Sequence, residues 1–407
     1  LSSPVECLEV ECSQFDFTFG LPKAGEEASL QRKDHDIRVL SGAVLKAKLQ
    51  NGSFAELDDY FELLLSAYLE NHFTEYQYRQ AVYDLGGLAQ ENLKFIRLWL
   101  AATGSVHAQF FEAEALGHIG PSIRGGKWAS NTAREKLEAY DKYQKLAAVS
   151  FVKTLELNPQ YLLAYQGLFS AVAPKDAAKA DLYAWYQKMQ HHLPQAYYPR
   201  AILILKHRPR WGGSYRQMRH FAEDAQQFVQ LNPRLRALFG FEWADKANRL
   251  TKLKMRDEAV IAWDAALYHG SLYSWLEPRA ALLWNLKRFK RLEQDARQML
   301  KLKPGQYKAR YYLVVALSEQ EKFTEAEPIF AELLAEYPEE AELWTRWGIS
   351  AFKQKQFKSS RDRLLAALQL DTDDELARFY LGFAYLNLHD AQSAGVFARY
   401  LKRCEDQ

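Results

Sequence analysis

The chain has 407 residues, with 53 Lys and Arg against 51 Asp and Glu, a formal charge of +2. That balance makes nucleic acid an unlikely partner, because a nucleic-acid binder shows a strongly basic footprint. Three cysteines cannot frame a disulfide scaffold, 20 Gly and 13 Pro are few for a fold of tight turns, and no apolar run reaches the roughly 18 residues of a membrane span.

The chain opens on Leu1, not Met, so an upstream segment is expected. A cytoplasmic location is favoured, and a periplasmic or membrane-anchored one stays open through a signal or anchor in that segment. Residues 1–33 show no periodicity and are mildly acidic, so 1–35 reads as an irregular N-terminal extension. Cys7 and Cys12 could pair in an oxidising compartment or stay as free thiols. A zinc site would need further Cys or His ligands at spacings that are absent.

A helical region with degenerate repeats is expected over 36–235. Residues 36–72 read as two helices around the turn Asn51-Gly52-Ser53-Phe54, and 74–117 as amphipathic helix. His107 and His118 read as polar surface or capping residues. Segment 145–172 reads as a helix ending in Leu157-Asn158-Pro159, followed by a helix bearing Tyr165, Gly167 and Leu168. Helices over 177–194 and 215–233 close on Pro194 and on Leu231-Asn232-Pro233, because proline cannot continue the hydrogen-bond ladder.

Two loops in this region pair glycines with cations and an aromatic: Arg124-Gly125-Gly126-Lys127-Trp128 and Arg210-Trp211-Gly212-Gly213-Ser214-Tyr215-Arg216. Paired glycines reach backbone conformations that aim several amides at one anion. Arginine adds a planar donor fork, and a helix starting near Ser214 adds free amides. One reading joins the loops into a pocket for a carboxylate or phosphate. The other has the glycines turning the chain, Trp128 and Trp211 packing the turns, and the cations in solvent.

From 236 onward the pattern becomes regular. Four segments, 273–306, 307–340, 341–374 and 375–407, align without a gap at a 34-residue period, and 240–272 is a degenerate fifth. In the second, Leu313, Ala316 and Leu317 form the buried face of a first helix, Phe323, Ala326, Phe330, Leu333 and Leu334 that of a second, and Pro338 ends it. Trp344, Trp347, Gly348, Phe357, Leu364, Ala367 and Leu368 take the same places in the third, and Leu381, Gly382, Tyr385, Ala394 and Phe397 in the fourth. Small residues such as Gly348, Gly382 and Ala326 fall where two helices cross closely. Trp347 reads as a core residue shared between neighbouring units.

These residues resemble the tetratricopeptide-repeat family, whose pattern of Trp, Leu, Gly, Tyr, then Ala, Phe, Ala, Pro recurs over 273–407. The resemblance implies an all-α helix-turn-helix solenoid. Residues 36–235 also resemble an uncharacterised bacterial domain family found beside such repeats, through Pro209-Arg210-Trp211-Gly212-Gly213-Ser214 and, more weakly, Arg124-Gly125-Gly126. That family supplies no activity.

No Gly-x-Ser-x-Gly, phosphate-binding Gly-Lys loop or His-Glu-x-x-His is present, so neither a catalytic residue nor a metal or cofactor site is expected. Between Lys206 and Arg256, twelve Lys and Arg face four acids; between Glu319 and Glu342, nine Glu face one Lys. Both stretches fit solvated helix faces, and the basic one also fits an acidic partner surface, or RNA through Arg210 and Trp211.

Tetratricopeptide superhelices bind on the concave face lined by the first helix of each unit. Placed in the family's register, that face offers Trp284, Tyr311, Ile349, Phe352, Phe379 and Phe383, without the Lys and Asn set that clamps a peptide carboxylate. The implied function is a scaffold or adaptor that captures an amphipathic or extended apolar peptide there. A binder that neutralises a co-encoded toxin, and an enzyme or small-anion binder using the Gly-Gly loops, stand as alternatives. The aromatics at the last repeat could instead be covered by a neighbouring segment or by a second copy of the chain.

Overall fold

The computed structural model describes residues 28–31, 36–86, 90–126, 131–172, 179–389 and 395. They form an all-α protein with one small hairpin, in two compact units. Of the described residues, the first unit contains 28–246 with 268–270, and the second 247–267 with 271–389 and 395. Cys7, Cys12 and Cys404 lie outside the described residues.

In the first unit, strands β1 (Ala28–Gln31) and β2 (Asp36–Val39) pair antiparallel, with Leu30 opposite Ile37. The expected irregular segment therefore ends in a strand. Ile37 and Val39, two residues apart and so on one face of β2, are both buried. Helices α1 (Gly42–Asn51) and α2 (Phe54–Leu69) follow, and the expected turn lies between them. Gly52 takes φ +83°, the left-handed conformation that ends a helix at no steric cost.

The stretch read as amphipathic helix over 74–117 is three helices: α3 (Glu75–Gly86), α4 (Leu93–Thr103) and α5 (Val106–Arg124). The α4–α5 break is chemically clear. Gly104, at φ +63°, caps α4, and the Ser105 hydroxyl accepts from the backbone N–H groups of His107 and Ala108 at the start of α5. Helices α6 (Arg134–Leu157) and α7 (Leu162–Ala171) surround the Asn158-Pro159 turn as expected, and α8 (Lys179–His192) stops before Pro194.

After α9 (Tyr198–Lys206) comes α10, which spans only Tyr215–Ala225 rather than reaching Pro233. Gln226 explains the early stop. Its side-chain amide donates to the Ala222 carbonyl at 2.8 Å, the acceptor an α-helix reserves for a backbone N–H. Its own N–H bonds Glu223 instead, and the chain continues in short 3-10 turns.

One continuous core runs from Ile37 to Leu238. Contacts distant in sequence hold it. The buried Glu75 carboxylate accepts from the N–H groups of Tyr197 and Tyr198 at 2.8 and 2.7 Å, capping α9 from 122 and 123 residues away. Trp99 is fully buried and donates its indole N–H to Asp58 at 3.0 Å. Arg200 is also fully buried, its guanidinium 5.1 Å from the Phe228 ring. His107 is 3% exposed and not a surface residue. Its ring nitrogens lie 3.2 Å from Tyr161 Oη and 3.2 Å from Glu62 Oε2, and burial pulls its pKa down against the opposing pull of Glu62.

Helix α11 (Gly240–Lys252) leads from the first unit into the second. The second unit adds α12 (Arg256–Tyr268) and then the helix pairs α13 (Tyr273–Asn285) with α14 (Phe289–Leu302), α15 (Tyr307–Glu319) with α16 (Phe323–Glu336), and α17 (Ala341–Lys353) with α18 (Phe357–Leu370). Helix α19 (Glu375–Asn387) opens a further pair. First helices start at 273, 307, 341 and 375 and second helices at 289, 323 and 357, so each step is 34 residues, as in the sequence alignment.

The turn inside each pair repeats to the atom. Lys287, Glu321 and Lys355 take positive φ of 55–61°. The next N–H, of Arg288, Lys322 or Gln356, donates to Leu283, Leu317 or Ala351 at 2.8–2.9 Å, five residues back, the bond that closes a helix end. Gly348 lets α17 and α18 meet, because a Cβ there would stand 2.6 Å from Leu364 Cγ. Trp347 is half-buried. Its ring stacks on Phe330 of the preceding pair at 6.1 Å and carries the Arg363 guanidinium at 3.7 Å.

Candidate functional site

In a helix-pair array the first helices stand side by side, so residues 34 apart come into register. The contacts run across them in order. Lys308 of α15 pairs with Glu277 of α13 and Tyr311 Oη donates to Glu342 of α17 at 2.6 Å, while Thr345 Oγ1 bonds Asp374 at 2.5 Å. The expected binding residues fall on this face in two groups. The first is Trp284 and Tyr311, with ring centroids 5.7 Å apart, joined by Tyr312 at 6.1 Å from Trp284. The second is Phe352, 6.4 Å from Phe383, with Phe383 a further 4.8 Å from Phe379.

A polar band separates the groups. Arg346 pairs with Glu342 at 3.3 Å and sets its guanidinium 5.4 Å from the Trp284 ring, while Thr345 and Asp374 bond beside it. The face is therefore two aromatic patches divided by bonded charge, not one continuous apolar strip. Trp284, Phe352, Phe379 and Phe383 are half-buried and present part of each ring. Tyr311 is 7% exposed and Ile349 5%, so they support the face from beneath and add little contact area. Burial and the bond to the Glu342 carboxylate push the Tyr311 phenol well above its usual range, so it stays a neutral donor.

The acidic run over 319–342 lies in this unit. At least five of its nine glutamates hold cations: Glu319 with Lys353, Glu325 with Arg297, Glu327 with Arg363, Glu336 with Arg310 and Glu342 with Arg346. Three of these pairs, those of Glu319, Glu325 and Glu327, tie one helix pair to the next. In the basic stretch Arg219 and Lys246 both bond Glu242, at 2.7 and 2.6 Å. Sequence reading missed these pairings, whose partners lie 23 to 36 residues apart where they join separate helices.

Lys127 and Trp128 of the first Gly-Gly loop lie outside the described residues. Arg124, at the end of α5, sets its guanidinium 5.6 Å from the Tyr140 ring. In the second loop Gly212 has φ +87°, and Gly213 runs so close to His207 that a Cβ would stand 2.2 Å from its carbonyl oxygen. Ser214 caps α10 through the Gln217 N–H. Arg210 lies 3.8 Å from Asp245, Tyr215 donates to the same carboxylate at 3.1 Å, and Arg216 and Trp211 are exposed. Two groups of this loop, Arg210 and Tyr215, thus face a carboxylate of the protein itself.

The first unit also holds a cavity that the sequence did not signal, between α3, α5, α6, α7 and α9. Glu114 and His118, one turn apart on α5, stand 3.5 Å apart on its wall, and the carboxylate raises the His118 pKa above its ordinary value. Their spacing of four was a usable signal; the helices opposite them were not.

The family described as a domain of unknown function (DUF4034) matches residues 42–176. No curated protein sequence matches the chain. Among solved structures it is similar to MamA (41-end) from Desulfovibrio magneticus RS-1, at 19% identity over 41% of this chain and 96% of that one, with a TM-score of 0.38. It is also similar to YrrB, described as a TPR protein with an unusual peptide-binding site, at 16% identity over 56% of this chain and 96% of that one, with a TM-score of 0.33.

Proposed function

We propose that the second unit is a scaffold that captures a partner polypeptide across its row of first helices. The observation that carries this reading is that Trp284 and Phe352, both half-buried, hold the same repeat position on α13 and α17, two repeats apart, with bonded charge between them. Aromatic rings that keep part of their surface in water cost hydration free energy, and grouped on one face they mark an interaction site. The two patches suit a partner with two apolar anchors separated by a polar stretch, as an amphipathic helix or an extended strand supplies. The polar band favours a partner that brings its own hydrogen bonds to Glu342, Arg346 and Asp374, and so selects register as well as hydrophobicity.

The test compares proteins that co-purify with the tagged chain and with its Trp284→Ala and Phe352→Ser variants, using quantitative mass spectrometry. Each variant removes one ring from one patch. A genuine partner is depleted at least tenfold by either change while the helical circular dichroism persists. Equal recovery with all three chains would place binding elsewhere.

A further inference from the structure

We propose that the cavity in the first unit binds a small organic cation, an alkylammonium of about five to seven heavy atoms, with its N–H donors on Glu114 and Gln166. This stands apart from the scaffold reading, on a different unit. The cavity is open to solvent on one side and holds about 150 Å³. A cavity near that size admits a benzene-sized ligand.

The chemistry of the wall selects the charge. Gln166 is 6% exposed and donates its amide N–H to Tyr83 Oη, which leaves its carbonyl oxygen buried with no partner among the described residues. An unmet buried acceptor is costly and is relieved by a donor from a ligand. Gln144 likewise turns its amide N–H onto the Gly117 carbonyl at 3.0 Å. Among the described residues, Glu114, 8% exposed, is the single carboxylate on the wall, and no lysine or arginine lines it. Arg79 lies 5.4 Å from the Tyr83 ring and is not part of the lining.

The wall therefore offers an unmet acceptor, the Gln166 carbonyl, together with the Glu114 carboxylate. A buried anion in such surroundings is stabilised by a cation that also donates hydrogen bonds. Phe151, Ala171 and Ile202 supply an apolar side for the ligand's carbon chain, and His118 and Ser170, both exposed, mark the mouth. At a pH where His118 is neutral, the Glu114 charge is left for the ligand. Gly167 keeps the Phe151 ring in place, since a Cβ there would stand 2.2 Å from its Cζ.

The experiment uses thermal unfolding of the full chain at pH 8 with millimolar n-butylammonium chloride, with butan-1-ol and sodium butyrate as controls at matched ionic strength. The expected result is a saturable rise in Tm with butylammonium and none with either control. Glu114→Gln keeps the side-chain shape and should weaken the response at least tenfold. Ser170→Trp blocks the mouth without touching Glu114 and should abolish it, which keeps the test decisive if the Glu114 variant fails to fold. No saturable response in the native chain, an equal response to butanol, or an undiminished response in Ser170→Trp would overturn the proposal.

Discussion

The two units solve the same problem, burying amphipathic helices, in different ways. The second repeats one local solution every 34 residues: the same left-handed turn residue, the same closing hydrogen bond, and ion pairs from each helix pair to the next. The first is closed by contacts that occur once, such as Glu75 on the α9 N-terminus and Gln166 on Tyr83, 83 residues away. A repeated solution spreads stability over many near-equal parts. A singular one concentrates it in a few groups. Damage should accordingly travel far in the first unit and stay near its source in the second.

The sharpest way to break this comparison is Glu75→Ala. It strands two buried backbone donors, at roughly 1–3 kcal/mol each, and should destabilise the first unit by about 4 kcal/mol. Hydrogen exchange should accelerate from α1 to α10 together. A rise confined to α9 would mean that the core is not one cooperative block.

Next come two glycine substitutions of the same kind. At Gly167 a new Cβ meets three atoms of the Phe151 ring at 2.2–2.7 Å, and at Gly348 it meets the Leu364 side chain at 2.6 Å. Overpacking costs about 1–3 kcal/mol. The rigid ring should place Gly167→Ala at or above the top of that range, and the flexible leucine should place Gly348→Ala near the bottom. Urea denaturation of both variants ranks them; the reverse order would contradict the packing described.

Trp347→Ala follows. Full burial would put the cost at about 3–5 kcal/mol, but the ring is only half-buried, so about 2 kcal/mol is expected. Exchange should rise in α16, α17 and α18, which hold Phe330, Trp347 and Arg363, and leave α13 unchanged. The smallest effect is at a turn. A side chain in the left-handed region costs about 1–2 kcal/mol, partly offset by the entropy glycine loses on folding, so Lys355→Gly should stabilise by about 0.5 kcal/mol, read as a small rise in Tm.

The same contrast decides what could be read in advance. The repeat boundaries were legible because each signal, such as Gly348 followed by Phe357 and Leu364, recurs in phase and depends on neighbours within one 34-residue unit. The turns at Gly52 and Asn158-Pro159 were legible for the same local reason. The break at Thr103-Gly104-Ser105 was also written locally, as a helix stop followed by a helix start, and was overlooked inside an amphipathic pattern. His107 was misplaced because what buries it, Tyr161 and Glu62, lies 54 and 45 residues away. On the candidate face the aromatic positions were readable by register. Their division into two patches was not, because it depends on Arg346 reaching across two helices to the Trp284 ring.

The Glu75 cap has a consequence for the order in which the molecule is made. At a synthesis rate of roughly 5–20 residues per second, residue 198 leaves the ribosome about 6–25 s after residue 75. Throughout that interval α3 carries a carboxylate whose two donors do not yet exist. The nascent first unit must wait with α9 and the segments after it missing and much of its apolar surface uncovered, a period in which a chaperone has something to hold. The repeats that follow carry no such debt, since each emerging pair can close its own turn and dock on the one before it.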